Sequence, residues 1–129
     1  EAVSAESESR ARRLEGGWRL ESIGATEPPI RLVFGDSELA RAYPGLVVGR
    51  EPALCDRVLE EPTISQRHCR FSVREARLLV EDLNSLNGTL IGGEDLFPFG
   101  PVALEGGEIL TLGRLPLRVE RIAPGSGRG

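Results

Sequence analysis

Three short stretches of the sequence carry side chains that suit the binding of a phosphate group. Arg50 ends an apolar run, Ser65 follows fifteen residues later, and Asn87 precedes a glycine. A phosphate monoester carries about −1.5 to −2 charges and three acceptor oxygens, so it needs a charged donor and neutral donors in fixed places. The Arg50 guanidinium would supply the charge. The Ser65 hydroxyl and backbone N–H and the Asn87 amide would supply the neutral donors.

Two of these residues have other interpretations, which the residue types alone leave open. Arg50 also suits a surface ion pair with Glu51 or Asp56, the commoner role of an arginine taken in isolation. Asn87-Gly88 is also a standard hairpin-turn signal, because glycine adopts the left-handed backbone without steric cost. The Asn-Gly pair therefore predicts a turn, which serves a binding loop equally well.

The remaining reactive residues give little support to a catalytic or metal site. Ser65 and His68 would suit a nucleophile and its base, but no GxSxG elbow, orienting carboxylate or oxyanion loop accompanies them. Cys55 and Cys69 form neither a CxxC pair nor a zinc spacing with the single histidine. We therefore expect a non-enzymatic protein with no metal, no cofactor, and reduced, mostly buried cysteines.

The elements that must position these side chains are short strands. Apolar residues alternate with polar ones in runs of roughly three to six residues, each bounded by Gly, Pro, Asn or Asp. No window inside this region holds a long helical apolar stripe, and sixteen glycines and nine prolines suit many tight turns. The pattern predicts an all-β sandwich or barrel. Its runs lie near residues 18–23, 30–34, 46–48, 69–73, 78–80, 89–91, 102–104, 109–112 and 115–119.

The composition narrows the classes of partner. The net charge is −4 and the pI is about 5.1, which argues against a general nucleic-acid binder. A nucleic-acid-binding β-barrel that uses Phe97 and Phe99 gains little support for the same reason. No apolar run approaches the ~18 residues of a membrane span, and no signal peptide is visible. We expect a cytoplasmic protein with no membrane insertion.

The 129 residues fit one domain with a short stretch at either side. Residues 1–16 are rich in Ser, Ala, Glu and Arg, and residues 123–129 in Gly and Pro, so both are predicted to be flexible tails around a domain at residues 17–122. The sequence contains no methionine. The chain is therefore expected to be part of a longer protein.

Four motifs occur in order along the predicted strands. They are Gly49-Arg50, Ser65-Gln66-Arg67-His68, Asn87-Gly88-Thr89 and the closing stretch LEGGEILTLG at residues 104–113. Together they resemble the GR, SxxH, NG and closing-strand signatures of the forkhead-associated (FHA) domain. The resemblance covers about residues 18–122, which is most of the chain.

This resemblance implies an eleven-strand β-sandwich whose loops bind a phosphothreonine peptide. By its pattern, Arg50 and Ser65 contact the phosphate, and Asn87 holds the peptide backbone next to the phosphothreonine. His68 braces the loops from below and does not touch the ligand. The other supporting positions are Gly49 and Gly88, which permit tight backbone geometry, and Arg67, which adds to the field at the site.

Two positions depart from the family pattern. Gln66 follows the loop serine where Arg, Lys or Asn is common, so it brings a hydrogen bond but no charge. Leu86 precedes Asn87 where Thr or Ser is common, so it donates nothing to a phosphate, although it would suit packing on the threonine methyl. Losing a neutral donor costs roughly 0.5–1.5 kcal/mol and losing a charged one about 1.5–3 kcal/mol. The pattern predicts phosphothreonine binding that is weaker than in an intact-motif member.

The sequence thus favours a phosphothreonine-peptide recognition module that mediates phosphorylation-dependent protein–protein interaction. The composition and the resemblance favour a place in a larger bacterial signalling or secretion-regulating protein under Ser/Thr kinase control. The alternative is an assembly module of the same fold that binds an unphosphorylated protein partner. Gln66 and Leu86 are the residues that favour this alternative.

Overall fold

The nine alternating segments form strands, and with two further two-residue strands they make eleven strands that pack as two sheets. They are seen in a computed structural model that describes residues 15–24 and 26–125, so the predictions for residues 1–14 and 126–129 lie outside the described residues. The strands are Gly17–Ser22 (β1), Arg31–Gly35 (β2), Leu46–Gly49 (β3), Arg57–Val58 (β4), Cys69–Arg74 (β5), Arg77–Asp82 (β6), Thr89–Ile91 (β7), Glu94–Asp95 (β8), Val102–Leu104 (β9), Ile109–Leu112 (β10) and Leu115–Ile122 (β11). The prediction of an all-β sandwich is confirmed.

The two sheets are built almost entirely from antiparallel pairs. The first sheet has the order β2-β1-β11-β10-β7-β8, and the second has the order β4-β3-β5-β6-β9. Only the pairing of β3 with β4 is parallel among those that the structure describes. Each pairing keeps the period-2 pattern in register, so that the apolar residues of neighbouring strands share one face. These faces meet between the sheets.

The apolar residues of the alternating runs form the core between the two sheets, which is why the alternation predicts the fold. Trp18 and Leu20 of β1 and Phe34 of β2 are buried, as is Phe71 of β5 in the second sheet. The Phe34 and Phe71 ring centroids lie 5.0 Å apart, which joins the sheets through an aromatic pair. Burying each large apolar side chain contributes about 1.5–3 kcal/mol, so this interior holds the scaffold on which the loops depend.

The strand directions bring one set of loops to the same end of the sandwich. Strands β3, β6 and β10 finish at the end where β5, β7 and β11 begin. Residues 50–56, 59–68, 83–88 and 113–114 therefore gather there, and we call this the loop end. The β8–β9 connection at residues 96–101 joins them, because Pro98 forms an isolated bridge with Asp82 at the end of β6. The β5–β6 hairpin and Tyr43, just before β3, lie at the opposite end.

Some local elements differ from the sequence pattern. A six-residue helix, Asp36–Arg41 (α1), precedes β3 and buries Leu39, and a single 3₁₀ turn spans Pro52–Leu54. Strands β6 and β7 belong to different sheets, so Asn87-Gly88 lies in a crossover between the sheets and not in a hairpin turn. None of the helices in the described part of the chain is long and apolar enough to cross a membrane.

Candidate functional site

The loop end is organised around the backbone of residues 63–66, which we call the central segment. The carbonyl of Thr63 accepts a hydrogen bond from Asn87 Nδ2 at 2.8 Å, and that of Ile64 accepts one from Arg50 Nε at 2.9 Å. The carbonyl of Ser65 accepts from the Arg50 backbone N–H at 2.9 Å. One stretch of backbone thus positions side chains from two other loops, Arg50 after β3 and Asn87 after β6.

Arg50 lies immediately after β3 and is exposed. Its Nε is bound to the central segment, which leaves the two terminal nitrogens of the fork for a ligand. The ion pairs that the sequence allowed are not formed, because Glu51 accepts from Ala53 N and Asp56 accepts from Val47 N. Arg50 therefore presents a charged donor whose direction is fixed by a backbone carbonyl.

Ser65 offers its hydroxyl to a ligand, but not its backbone N–H. That N–H donates to His68 Nδ1 at 3.0 Å, so the prediction of two free donors is corrected to one. The Ser65 Oγ accepts from the Leu86 backbone N–H at 2.9 Å. Because the oxygen is the acceptor in this bond, the hydroxyl proton remains available to donate to a phosphate oxygen.

His68 lies fully buried beneath the loops and joins two of them. Its Nδ1 accepts from Ser65 N, so Nε2 carries the proton and donates to the Gly88 carbonyl at 2.9 Å. Burial lowers the pKa of His68 below its ordinary value, against opposing effects of the Gly88 carbonyl and the Asp82 carboxylate. Neither ring nitrogen contacts the Ser65 hydroxyl, which is the geometry of a support and not of a catalytic base.

Asn87 and Gly88 form the part of the β6–β7 crossover that reaches the central segment. One Asn87 amide hydrogen is bound to Thr63 O, which leaves the second hydrogen and the Oδ1 for a peptide backbone. Gly88 has a φ of 91°, in the left-handed region that favours glycine. Its carbonyl accepts from both His68 and Gly113 N, so this glycine links the brace to the β10–β11 turn.

The two departures from the family pattern lie at the same surface. Gln66 is exposed, and its carbonyl accepts from the Cys55 thiol at 2.9 Å and from the Glu51 N–H at 3.2 Å. The Leu86 side chain is 88% exposed, although its backbone N–H is bound to Ser65. Gln66 thus presents an uncharged amide and Leu86 an apolar side chain at positions where the family pattern commonly has donors to phosphate.

Close packing under the central segment explains the glycine at position 49. A Cβ on Gly49 would lie 2.2 Å from the Gln66 carbonyl oxygen, so a side chain there would displace the loop. Cys55 is half-buried beside it, and burial raises the pKa of its thiol. Cys69 is fully buried, and burial raises its pKa well above the usual range. Both cysteines are free thiols, as the sequence predicted.

Asp82 organises the β6–β7 crossover, a role that the sequence analysis did not assign. Its carboxylate accepts from the Ser85 N–H at 3.0 Å, the Ser85 hydroxyl at 2.6 Å and the buried Thr89 hydroxyl. Burial alone would raise the pKa of Asp82, but these donors lower it below its ordinary value. The Ser85 Oγ in turn accepts from Gly88 N, so Asp82 sets the path of the loop that carries Asn87.

Thr63 is the second supporting residue that sequence reasoning missed. Its Oγ1 accepts from Arg114 N at 2.8 Å, while its N–H and hydroxyl donate to Glu61. A Cβ on Gly113, whose φ is 62°, would lie 2.5 Å from Thr63 O. The β10–β11 turn is therefore seated directly on the central segment. No local signal marks a contact between residues so far apart in sequence.

Three arginines at the loop end are available to an anion, and the same loops also carry Glu51, Asp56, Glu60 and Glu61. Arg50, Arg67 and Arg114 are exposed, and within residues 15–24 and 26–125 none of them has an ion-pair partner. The neighbouring carboxylates of Glu51 and Glu61 are engaged by backbone N–H groups. No group of three His, Cys, Asp or Glu side chains suitable for a metal ion occurs among the described residues.

The sheets and the loop end together define a class of protein, a β-sandwich that presents polar donors from the loops at one end. The chain belongs to the FHA domain family, since the family model for the FHA domain matches residues 46–113, just over half of the chain. The resemblance read from the sequence motifs is thereby confirmed.

One curated protein shares part of this sequence. The oxoglutarate dehydrogenase inhibitor of Corynebacterium efficiens is 34% identical over 74 residues, which cover 57% of this chain and 49% of that protein. The chain thus spans about half the length of this relative.

Two solved structures resemble the fold. An FHA domain of a hypothetical protein from Arabidopsis thaliana has a TM-score of 0.69 at 24% identity, covering 100% of this chain and 99% of its own. The N-terminal FHA domain of S. cerevisiae Rad53p, solved with a phosphothreonine peptide, has a TM-score of 0.64 at 24% identity, covering 81% of this chain and 92% of its own.

Proposed function

We propose that the chain binds phosphothreonine-containing peptides through Arg50, Ser65 and Asn87. The observation that carries the proposal is the central segment, which binds one donor of Arg50 and one of Asn87 while leaving their other donors free. The same segment presents the Ser65 hydroxyl with its oxygen already satisfied by Leu86 N. The FHA domain is a non-enzymatic interaction module, and the Rad53p domain is seen with such a peptide, which supports this role.

In this proposal the three residues divide the work by their chemistry. The Arg50 fork and the Ser65 hydroxyl bind phosphate oxygens, because a charge-assisted bond and a neutral bond together suit a dianion. Asn87 binds the peptide backbone, which needs one donor and one acceptor from the same amide. His68 holds Ser65 and Gly88 in place without reaching the ligand.

Arg50→Ala tests this proposal directly. We expect loss of phosphopeptide binding with the fold intact, since Arg50 is exposed and supplies the only guanidinium that is hydrogen-bonded to the central segment among the described residues. Isothermal titration of the variant with a phosphothreonine peptide, selected from a degenerate library on the wild type, measures the effect. Arg74→Ala is the matched control, because Arg74 is exposed at the opposite end and is likewise unpaired within the described ranges. Affinity of the Arg50 variant within twofold of wild type would refute the assignment.

A second function is favoured by the exposed, uncharged side chains of Gln66 and Leu86. In that alternative the same loops assemble with an unphosphorylated protein, and the absent phosphate donors are not needed. Parallel pull-downs with phosphothreonine, phosphoserine and unphosphorylated forms of one peptide library separate the two. Enrichment only from the unphosphorylated library supports the assembly function.

We also propose that residues 17–122 serve as the binding domain of a larger, cytoplasmic bacterial protein in a Ser/Thr kinase signalling or secretion-regulating system. The all-arginine basic composition and the similarity to a Corynebacterium protein support the bacterial context. The partner in this setting is a protein phosphorylated on threonine. The loop end described above provides the contact, and no cofactor is required for it.

A further inference from the structure

We propose that residues 96–101, which we call the aromatic loop, bind an apolar and basic segment that flanks the phosphothreonine in the same partner. This inference rests on the proposed function and adds a second surface to it. Among the described residues, four large apolar side chains are more than half exposed, namely Tyr43, Leu86, Phe97 and Phe99. Three of the four lie at the loop end. Exposed apolar residues without a binding role are normally scattered singly over the surface, so their concentration at one end indicates an interaction site.

The aromatic loop has a fixed backbone although its rings are exposed. Phe97 is 88% exposed and Phe99 is 61% exposed. Phe99 has a φ of 65°, which is unfavourable for a bulky residue and points to a constraint. Hydrogen bonds hold the loop on both sides, from Leu96 N to Thr89 O at 2.9 Å and from Phe99 N to Asp82 O at 2.7 Å. A loop whose backbone is held in this way loses little backbone freedom when a partner binds.

The aromatic loop is continuous with the phosphopeptide site through Asp82. The Asp82 carboxylate holds Ser85 in the crossover that carries Leu86 and Asn87. The carbonyl of the same residue holds Phe99. Both surfaces are therefore anchored to the end of β6, which places the aromatic loop next to the crossover that carries Asn87.

Charge identifies the kind of segment that fits. Residues 78–113 contain no Arg or Lys and six acidic residues. Glu94 and Asp95, which precede the aromatic loop, are exposed and have no ion-pair partner within the described residues. The Asp95 Oδ1 lies 3.4 Å from where a Cβ on Gly88 would be, so this acidic edge borders the site. It complements Arg or Lys and disfavours nucleic acids and anionic membranes.

The test compares short and long phosphothreonine peptides on the wild-type chain. The long library has a fixed phosphothreonine and about ten random residues on each side, which reach about 33 Å when extended. We expect enrichment of a large apolar residue together with Arg or Lys at a fixed distance from the phosphothreonine. A five-residue phosphothreonine peptide, without the flanks, measures the phosphate site alone.

Two variants test the surface. The double variant combines Phe97→Ser with Phe99→Asn, and asparagine is chosen at position 99 because it tolerates the left-handed backbone. The second variant is Asp95→Asn alone. The double variant should bind the enriched long peptide at least about tenfold more weakly and the short peptide as wild type does. Asp95→Asn should lose the preference for the basic residue. Tyr43→Ser, which removes the exposed side chain at the opposite end, is the matched control and should change neither affinity.

Failure of this inference is distinct from failure of the proposed function. Binding of the short peptide with no flank preference, or with an unaffected double variant, would overturn the docking surface and leave the phosphate site standing. If the short peptide does not bind, and an unphosphorylated library enriches the same flanking residues, both the phosphate site and its extension are overturned. A peptide-free dimer that Phe97→Ser dissociates, or Phe97-dependent binding to neutral phosphatidylcholine vesicles, would likewise contradict the proposed occupant.

Discussion

Gln66 and Leu86 are the positions at which this loop end lacks a charged donor and a hydroxyl donor to a phosphate, respectively, and they yield a gain-of-function prediction. Gln66→Arg with Leu86→Thr should strengthen binding of a phosphothreonine peptide at least roughly tenfold, because a charge-assisted bond contributes about 1.5–3 kcal/mol and a neutral one nearer 1 kcal/mol. Both side chains are exposed, so the fold should tolerate the change. Calorimetric titration at two salt concentrations measures the gain and its expected steeper salt dependence.

Gln66→Glu provides the control for this prediction, since it keeps the size of the side chain and reverses the added charge. It should weaken binding of the phosphopeptide. If the double variant gains nothing with any phosphothreonine peptide while losing a partner captured by unbiased pull-down, the assembly function is favoured instead.

His68 yields a prediction about stability and pH at the residue scale. Its pKa is lowered in the fold from an ordinary value of 6.5, so the unfolded chain binds the proton first as pH falls. The stability it contributes is complete above pH 6.5 and is lost as pH falls from 6.5 toward the lowered pKa. Asp82, whose pKa is also lowered, loses its contribution only as pH falls below its ordinary value of 3.8.

Thermal unfolding without ligand at pH 7.5 and 5.5 measures this effect. The wild type should lose stability over this range, and His68→Asn, which cannot titrate, should start lower and lose less. Equal pH slopes in the two proteins would contradict the assignment. Measuring without ligand is necessary because phosphothreonine itself gains a proton near pH 6.

At the residue scale the sequence predicted which side chains lie at the site, but not which hydrogen bonds hold them there. Arg50 and Asn87 were identified from motifs, but the carbonyls that hold them follow only from the folded path of residues 63–66. The Ser65 N–H was expected to face a ligand and instead binds His68. Thr63 and Asp82 were missed because their partners are chosen by tertiary packing, which leaves no local signature.

At the scale of elements, the β10–β11 turn supports the site through Gly113. Gly113→Ala should reduce both stability and phosphopeptide affinity, because the new Cβ would lie 2.5 Å from Thr63 O and push the turn off the central segment. The left-handed backbone alone costs roughly 1–2 kcal/mol for alanine, and the lost Arg114–Thr63 hydrogen bond adds about 1 kcal/mol. Urea unfolding and calorimetry measure the two effects.

Gly107→Ala is the matched control for this turn. Gly107 also has a positive φ, of 96°, but no atom lies within 4 Å of the place that an alanine Cβ would take, and it lies in the β9–β10 connection. The control should show only the backbone cost and keep wild-type affinity. If both variants lose the same stability and bind equally well, the turn does not support the site.

The longer strands could be predicted from the sequence because each has enough alternating residues to bury one face. The two-residue strands β4 and β8 could not, since two residues carry no period. Helix α1 was missed because only Leu39 of its six residues is buried, so it has no apolar stripe. Gly88 has the positive φ that an Asn-Gly turn favours, but the alternative of a plain hairpin does not hold, because local turn chemistry does not decide which sheet the next strand joins.

At the scale of the whole molecule, ligand binding should stabilise the sandwich. The loops at the loop end connect both sheets, so a phosphothreonine peptide present at 100 times its Kd should add about 2.7 kcal/mol to the free energy of unfolding. For a domain of this size that is a rise in Tm of roughly 10 °C. Differential scanning fluorimetry should show the shift for wild type and none for Arg50→Ala. A comparable shift with the unphosphorylated peptide would argue against phosphate recognition.

The overall charge is a poor guide to this surface. A net charge of −4 predicted no nucleic-acid partner, yet it concealed an uneven distribution. Three arginines without an ion-pair partner among the described residues lie at the loop end, and Glu94 and Asp95 border it. Composition averages over the chain, so only the folded arrangement shows that both signs meet at one site.

The central segment has a consequence for the timing of recognition. Arg50 and Asn87 are held to it by hydrogen bonds within the chain itself, so under the proposed function we expect capture of a phosphopeptide to require little rearrangement of these groups. The encounter rate should then depend on diffusion and on the arginine charges, and partners should differ mainly in how long they dwell. A partner that binds the phosphate site alone would depart quickly and leave its phosphothreonine open to a phosphatase. Dwell time would thus decide how long a phosphorylation event is protected.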